Sequence, residues 1–164
     1  MTLEGYNPAQ LELLQKIATR LRAEGQSVGV AESLTGGRVA AALTCLVGSS
    51  DYFQGGVVAY SDRLKTKLLG VSEDILTVSG AVSESCVRAM AEGARLKLDV
   101  TVAVATTGIA GPDGGSQSKP VGLVWLAVAT GRGIFTNRRQ FSGDRKIITR
   151  AAMEAALNLL FISL

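Results

Sequence analysis

Histidine is absent from this chain of 164 residues, and its absence removes a large group of enzymatic mechanisms. Ser-His-Asp and Cys-His catalysis, imidazole-ligated zinc and the usual general base near neutral pH all need histidine. The two cysteines, Cys45 and Cys86, are too few for a four-cysteine zinc site and form no C-x-x-C motif. We interpret them as a reduced intracellular pair rather than a disulfide. If the chain is a hydrolase, its general base is a lysine, an aspartate, a glutamate or a tyrosine.

Aromatic residues, long apolar runs and a strong charge of one sign are also scarce. Aromatic residues make up 5% of the chain and hydrophobic residues 47%, so we expect an aliphatic core. The longest apolar run, residues 121–129, is too short to span a bilayer, and the N-terminal residues lack the pattern of a secretory signal. The net charge is +3, without basic stripes or stacking aromatics. We therefore expect a cytoplasmic protein that binds neither membranes nor nucleic acid.

The order of apolar patterns predicts one α/β domain over residues 1–164. Asn7 and Pro8 begin a helix that ends near Gly25, and Ser72, Ser83 and Asp144 are typical caps of later helices. We expect a single three-layer α/β/α sandwich with a mixed, mostly parallel sheet, in which one hairpin is antiparallel. The predicted strands are residues 27–31, 56–61, 99–106, 121–130 and 134–141, and a further helix is predicted from Arg38 to Leu46.

Ligands bind at the carboxyl ends of strands in such sheets, and the first strand ends in a short polar turn. Ser33 is followed there by Thr35, Gly36 and Gly37. Backbone N–H groups at a helix start can hold a phosphate or a developing oxyanion. The alternative is an ordinary helix cap made by serine and threonine. The turn matches neither the G-x-S-x-G motif nor a P-loop.

A tyrosine and a lysine follow the second strand. Tyr60 is predicted to close that strand, and Lys65 lies one turn into a helix that Asp62 can cap. A buried, neutral lysine can replace histidine as the base for a serine hydroxyl. The alternative is that Lys65 and Lys67 are solvated helix lysines and that Tyr60 belongs to the core.

The third strand runs into a long loop, and five of the nine residues at 107–115 are glycine or proline. Long loops in compact domains are usually functional, and glycines let backbone amides approach an anion closely. A flexible surface loop is the alternative. The segment lacks the G-x-G-x-x-G motif of dinucleotide-binding folds.

Eight segments of the chain resemble one known family, the C-terminal domain of the competence/damage-inducible protein CinA. They occur in the family's order and are spread across most of the chain. Stand-alone members of the family are similar to nicotinamide-nucleotide amidase, which converts nicotinamide mononucleotide into nicotinate mononucleotide and ammonia. The segments are AESLTGG (31–37), GSS (48–50), GGVVAYSDRLKTKLLGV (55–71), SGAVSE (79–84), MAEGA (90–94), TTGIAGPDGG (106–115), KPVG (119–122) and FSGDR (141–145).

The resemblance implies roles for particular residues. The family's serine falls on Ser33, its lysine on Lys65 and its tyrosine on Tyr60. It further implies that the substrate site is lined by Thr107 with the glycine-rich loop, which includes Gly108 and Gly111, and that Arg145 lies near this site. Two positions depart from the family's usual pattern: Leu34 stands where cysteine is common, and Asp62 stands where asparagine is common.

The resemblance and the missing histidine together predict a serine amidohydrolase with a lysine base, acting on a small nucleotide. Amides near Thr35 and Gly36 are the candidate oxyanion donors, and this route requires no metal and no cofactor. The alternative is a non-catalytic phosphate- or nucleotide-binding module of a competence or DNA-damage response. The apolar C-terminal residues LNLLFISL exceed what one helix face needs, which favours a homo-oligomer.

Overall fold

The computed structural model describes residues 5–164. Its elements, in chain order, are α1 (Pro8–Ala23), β1 (Val28–Glu32), α2 (Arg38–Leu43), β2 (Phe53–Val58), α3 (Asp62–Leu69), α4 (Glu73–Val78), α5 (Glu84–Lys97), β3 (Val102–Gly108), β4 (Leu123–Thr130), β5 (Gly133–Gln140) and α6 (Arg145–Ser163). A short 3₁₀ turn, Ser49–Asp51, precedes β2.

The five strands form one mixed sheet in the order β2-β1-β3-β4-β5. β1 lies parallel to both of its neighbours, whereas β4 runs antiparallel to both β3 and β5. Four of the five strands therefore point the same way, and β4 is the reversed one. This arrangement confirms the predicted α/β fold with a mostly parallel sheet and an antiparallel hairpin.

Alternate residues of the central strands build two different cores, because successive side chains point to opposite faces. The face toward α1, α2 and α6 carries valine and leucine, including Val28, Val104 and Leu126. The face toward α3, α4 and α5 carries alanine, including Ala31 and Ala105. Small side chains let α5 lie close to the sheet.

Gly93 marks the closest approach within the alanine-lined layer. A Cβ atom at this position of α5 would overlap the carbonyl oxygen of Leu69, where α3 ends. Gly93→Ala should destabilise the fold by ~1–3 kcal/mol despite its better helix propensity, since neither backbone can move aside. Urea denaturation measures this change. Gly131→Ala is the matched control, because nothing lies within 4 Å of its Cβ, and equal stability of both variants would contradict the argument.

Several predicted ends of strands and helices were wrong. Pairing between strands that are distant in the sequence decides the limits of β2. β2 begins at Phe53 instead of residue 56, because Gly55 and Gly56 pair with β1 rather than interrupting the strand. It ends at Val58, so Tyr60 lies beyond it. Helix α2 ends at Leu43 rather than at residue 46, and β1 and β3 extend to Glu32 and Gly108.

The apolar C-terminus serves mainly the core of this chain. Leu157, Leu159, Leu160 and Leu164 are at most 5% exposed, and Ile162 is 74% exposed. The excess of apolar residues therefore follows largely from packing within the monomer. Within residues 5–164, no helix has both the length and the apolar character needed to cross a membrane.

The two cysteines belong to different layers. Cys45 packs at the border of the valine-lined core and Cys86 lies inside the alanine-lined core. Both are free thiols, as expected for a reduced pair. The sheet between the two layers keeps them apart.

Candidate active site

An open cavity of about 270 Å³ lies at the carboxyl ends of β1, β2 and β3. Larger cavities of about 380, 440 and 570 Å³ exist elsewhere, but none of these three is lined by both a serine and a buried lysine. The cavity at the strand ends is therefore the candidate site. It is lined by Ser33, Leu34, Tyr60, Asp62, Lys65, Ala81, Val82, residues 107–111, Asp113, Gly114 and Arg145.

Ser33 stands in a tight turn directly after β1. Its amide donates to the carbonyl of Thr106 on β3 (3.1 Å), and its own carbonyl accepts from the amide of Gly36 (3.1 Å). The hydroxyl groups of Thr35 and Thr106 share a hydrogen bond of 2.7 Å. These contacts fix the turn to the neighbouring strand and leave Ser33, 8% exposed, on the cavity wall.

Glu32 immediately precedes this serine, and the sequence-based reasoning missed it. Its side chain is fully buried. One carboxylate oxygen accepts from the amides of Gly37 (3.0 Å) and Val39 (3.1 Å), and the other accepts from Ala40 (2.8 Å). The only signal in the sequence is an acidic residue at the end of an apolar strand.

Lys65 is buried although it lies in a short, polar helix. It is 2% exposed, and its Nζ donates to the carbonyl of Tyr60 and to Oδ1 of Asp62, both at 3.4 Å. The helix cap is Ser61 rather than Asp62, which is the first helical residue. The alternative of a solvated Lys65 is wrong, whereas Lys67 is exposed.

Cys86 lies beneath this lysine in the alanine-lined core. Burial raises the pKa of the Cys86 thiol to about 11, and the positive charge of Lys65 opposes this effect only in part. A thiol with such a pKa stays protonated near neutral pH, and only a thiolate is a good nucleophile. Cys86 is also 0% exposed and does not line the cavity, so Ser33 is the candidate nucleophile.

Arg145 connects three segments around the cavity. It is the first residue of α6, which Asp144 caps. One of its nitrogens donates to the carbonyl of Gly111 (3.0 Å) and another to the hydroxyl of Tyr60. Tyr60 itself is 53% exposed, so the alternative that places it in the core is wrong. The guanidinium ties the glycine-rich loop to the β2–α3 connection.

Thr107 and Gly108 end β3 at the cavity. The Thr107 hydroxyl donates to the carbonyl of Ala81 (2.8 Å), and Thr107 pairs across the sheet with Trp125 on β4. A Cβ at Gly108 would lie 2.6 Å from the Leu123 carbonyl oxygen. Only glycine fits there, so part of the glycine content serves close packing of strands rather than an anion.

Comparison with known proteins shows the family of the chain. The family model described as CinA C-terminal domain matches residues 10–164. The chain belongs to the CinA C-terminal domain family. It is 47% identical to the nicotinamide-nucleotide amidohydrolase PncC of Pseudomonas putida, over 89% of this chain and 91% of the relative. The PncC of Escherichia coli K12 is also 47% identical, with 92% of each chain covered.

Solved structures of the family share the fold. The competence/damage inducible protein CihA from Agrobacterium tumefaciens superposes with a TM-score of 0.94 at 40% identity. The match covers 99% of this chain and 98% of that one. The resemblance seen in the sequence is thereby confirmed over almost the whole chain.

Seven of the ten residues predicted for the site line this one cavity: Ser33, Tyr60, Lys65, Thr107, Gly108, Gly111 and Arg145. Thr35, Gly36 and Gly37 do not line it. The amides of Gly36 and Gly37 already donate to the Ser33 carbonyl and to Glu32, which removes them as donors to a substrate. Residues 5–164 contain no group of three or more histidine, cysteine or acidic side chains arranged to bind a metal.

Proposed function

We propose that this protein is a nicotinamide-nucleotide amidohydrolase that converts nicotinamide mononucleotide into nicotinate mononucleotide and ammonia. Two curated relatives with that name are 47% identical over about nine-tenths of the chain. The observation that carries the proposal is the burial of Lys65 at the cavity. A lysine only 2% exposed, opening on the same cavity as Ser33, is the arrangement that a serine nucleophile without histidine needs.

The proposed reaction proceeds through an acyl-enzyme. Ser33 Oγ attacks the carboxamide carbon of the nicotinamide ring while neutral Lys65 takes the hydroxyl proton. Lys65 then returns this proton to the departing nitrogen, and ammonia leaves as the C–N bond breaks. Water hydrolyses the resulting ester and releases the carboxylate product and Ser33. Tyr60, held by Arg145, orients the pair or relays the proton.

The developing oxyanion needs N–H donors beside Ser33. Within residues 5–164, the amides of Leu34 and Thr35 donate no hydrogen bond, in contrast to those of Gly36 and Gly37. Of these two residues only Leu34 lines the cavity, so we assign the oxyanion to the amide of Leu34, one residue before the amides that the sequence suggests. Preorganised donors of this kind are the largest single contribution in many acyl-transfer enzymes.

Ammonia release from nicotinamide mononucleotide by the purified protein tests the proposal directly. A glutamate-dehydrogenase-coupled assay gives the rate, and mass spectrometry identifies nicotinate mononucleotide. The competing candidate, a nucleotide-binding module without chemistry, is favoured by the glycine-rich loop alone. Binding without any ammonia release would select that candidate and overturn the amidohydrolase.

The substrate phosphate gives a further prediction. We assign the 5′-phosphate to Arg145 and the loop 107–115, which includes Gly108 and Gly111. Each lost charge-assisted hydrogen bond costs roughly 1.5–3 kcal/mol, so kcat/KM on nicotinamide riboside should be at least about tenfold lower than on the mononucleotide. Steady-state ammonia release on both compounds measures the ratio. Equal kcat/KM values would rule out this assignment.

We further propose that the working form is a cytoplasmic homo-oligomer that acts on a free nucleotide without a nucleic-acid partner. The exposed Ile162 supports the association, because it borders the surface cavity between β5 and α6. Analytical ultracentrifugation of the purified protein tests the oligomer. A monomer at all concentrations would overturn it.

A further inference from the structure

Glu32 is a charged side chain with an unusual setting. It is 0% exposed, and no lysine or arginine lies within ion-pair distance of it among residues 5–164. Its three partners are all backbone amides at the start of α2. A buried carboxylate without a counter-cation is costly unless hydrogen bonds satisfy it, and amides at a helix start do so favourably.

The junction between the turn after Glu32 and α2 has no side-chain cap of its own. Gly36 and Gly37 both adopt left-handed backbone conformations, with φ of 56° and 95°. Gly37 is also the N-cap of α2, and it has no side chain to cap the helix. Glycine has the widest backbone freedom of any residue. Two glycines in sequence therefore couple α2 only weakly to the turn unless an outside group bonds the amides at the helix start.

Glu32 supplies that outside group from a rigid position. Its backbone pairs with Val58 on β2 and with Thr106 on β3, so the carboxylate projects from the centre of the sheet. It holds α2 five to eight residues further along the chain. The turn that carries Ser33 and the amides of Leu34 and Thr35 lies between these two fixed points.

We propose that Glu32 is a positioning residue for the nucleophile turn. By engaging the amides of Gly37, Val39 and Ala40, it sets the place of Ser33 Oγ and of the Leu34 amide relative to Lys65. This inference rests on the proposed amidohydrolase function. Glu32 itself touches neither substrate nor the reacting atoms.

Glu32→Gln tests the proposal with little change in volume. The glutamine amide has one oxygen, and its NH₂ group faces N–H donors that it cannot accept from. We expect kcat to fall ~10- to 100-fold with KM changed less than about twofold, since small misplacements of reacting groups carry costs of this size. Glu92→Gln is the matched control: its carboxylate pairs with Arg95 on α5 (3.0 Å), outside the cavity lining, and kcat should stay at the wild-type value.

The folding of each variant and its hydrogen bonds at the start of α2 are measured separately from its activity. Amide proton shifts of Gly37, Val39 and Ala40 in NMR spectra report whether the carboxylate contacts are lost, and thermal melting reports the folded fraction. If Glu32→Gln does not fold, Glu32→Asp takes its place, because it keeps the charge but shortens the reach by one methylene. The same fall in kcat at unchanged KM is expected for it.

Wild-type kcat in a folded variant with altered amide shifts would overturn the positioning role, as would a change confined to KM. Failure of both variants to fold would overturn it as well, since Glu32 would then serve folding alone. Activity of the wild-type protein distinguishes failure of the positioning role from failure of the proposed amidohydrolase function. No ammonia release by wild type refutes the amidohydrolase, whereas an active wild type with an equally active Glu32→Gln refutes only the positioning role.

Discussion

Ser33→Ala is expected to lower kcat/KM on nicotinamide mononucleotide at least ~10³-fold, because the covalent route loses its nucleophile. The hydroxyl makes no hydrogen bond that holds the fold together within the described residues, whereas the amide and carbonyl of Ser33 do. The thermal midpoint should therefore change little. Coupled ammonia release and a melting curve on the same preparation give both quantities.

A buried serine elsewhere provides the control for that variant. Ser163 is 4% exposed near the end of α6, and its hydroxyl donates to the Leu159 carbonyl (2.7 Å). Ser163→Ala removes the same atom outside the cavity and should retain wild-type kcat. If Ser33→Ala kept near-full turnover, the acyl-enzyme route would be wrong and direct attack by water would replace it.

Lys65→Arg should be nearly as inactive as Lys65→Ala. This pair of variants distinguishes a role of Lys65 as the general base from a role of its positive charge alone. Arginine keeps the positive charge but does not give up a proton near neutral pH. The side chain is 2% exposed, so the wider guanidinium must also displace its neighbours. Lys67→Arg, two residues along and exposed, is the control and should keep its activity. Steady-state rates across a pH series measure all three variants.

If Lys65→Arg retained most of the activity, Lys65 would act through its charge or by binding substrate, and not as the general base. The base would then be sought at Tyr60, whose hydroxyl already accepts a hydrogen bond from Arg145. In that case Tyr60→Phe should abolish the rate while Lys65→Arg does not. The two outcomes differ enough to be separated in one set of assays.

Helix starts were the most predictable part of the fold, because an N-terminal helix cap depends on only about four neighbouring residues. Asn7 caps the first helix in a capping box with Gln10, and Ser72, Ser83 and Asp144 each cap the helix predicted for them. The limits of β2 could not be predicted this way. They depend on pairing with β1, where Gly56 fits beside Val30 and a larger residue would not.

The site was predictable to the extent that the family's residues are recognisable in the sequence. Ser33 and Lys65 are candidates because they follow predicted strands, and the resemblance gives them roles, whereas Arg145 was found through the resemblance alone. The topology brings all three to one cavity. The hydrogen bonds of individual amides were not predictable. Gly36 and Gly37 looked available from their position at a helix start. The Gly36 amide instead donates to the Ser33 carbonyl, and the Gly37 amide donates to the Glu32 carboxylate.

Trp125, across the sheet from Thr107, gives the protein an optical signal of its own. It is the single tryptophan of the chain, and directly paired residues on neighbouring strands share one face of a sheet. All indole fluorescence therefore originates one strand away from the cavity wall. A ligand that alters the surroundings of Thr107 changes the emission of one defined ring, so binding can be titrated on the unlabelled protein in variants that no longer turn over.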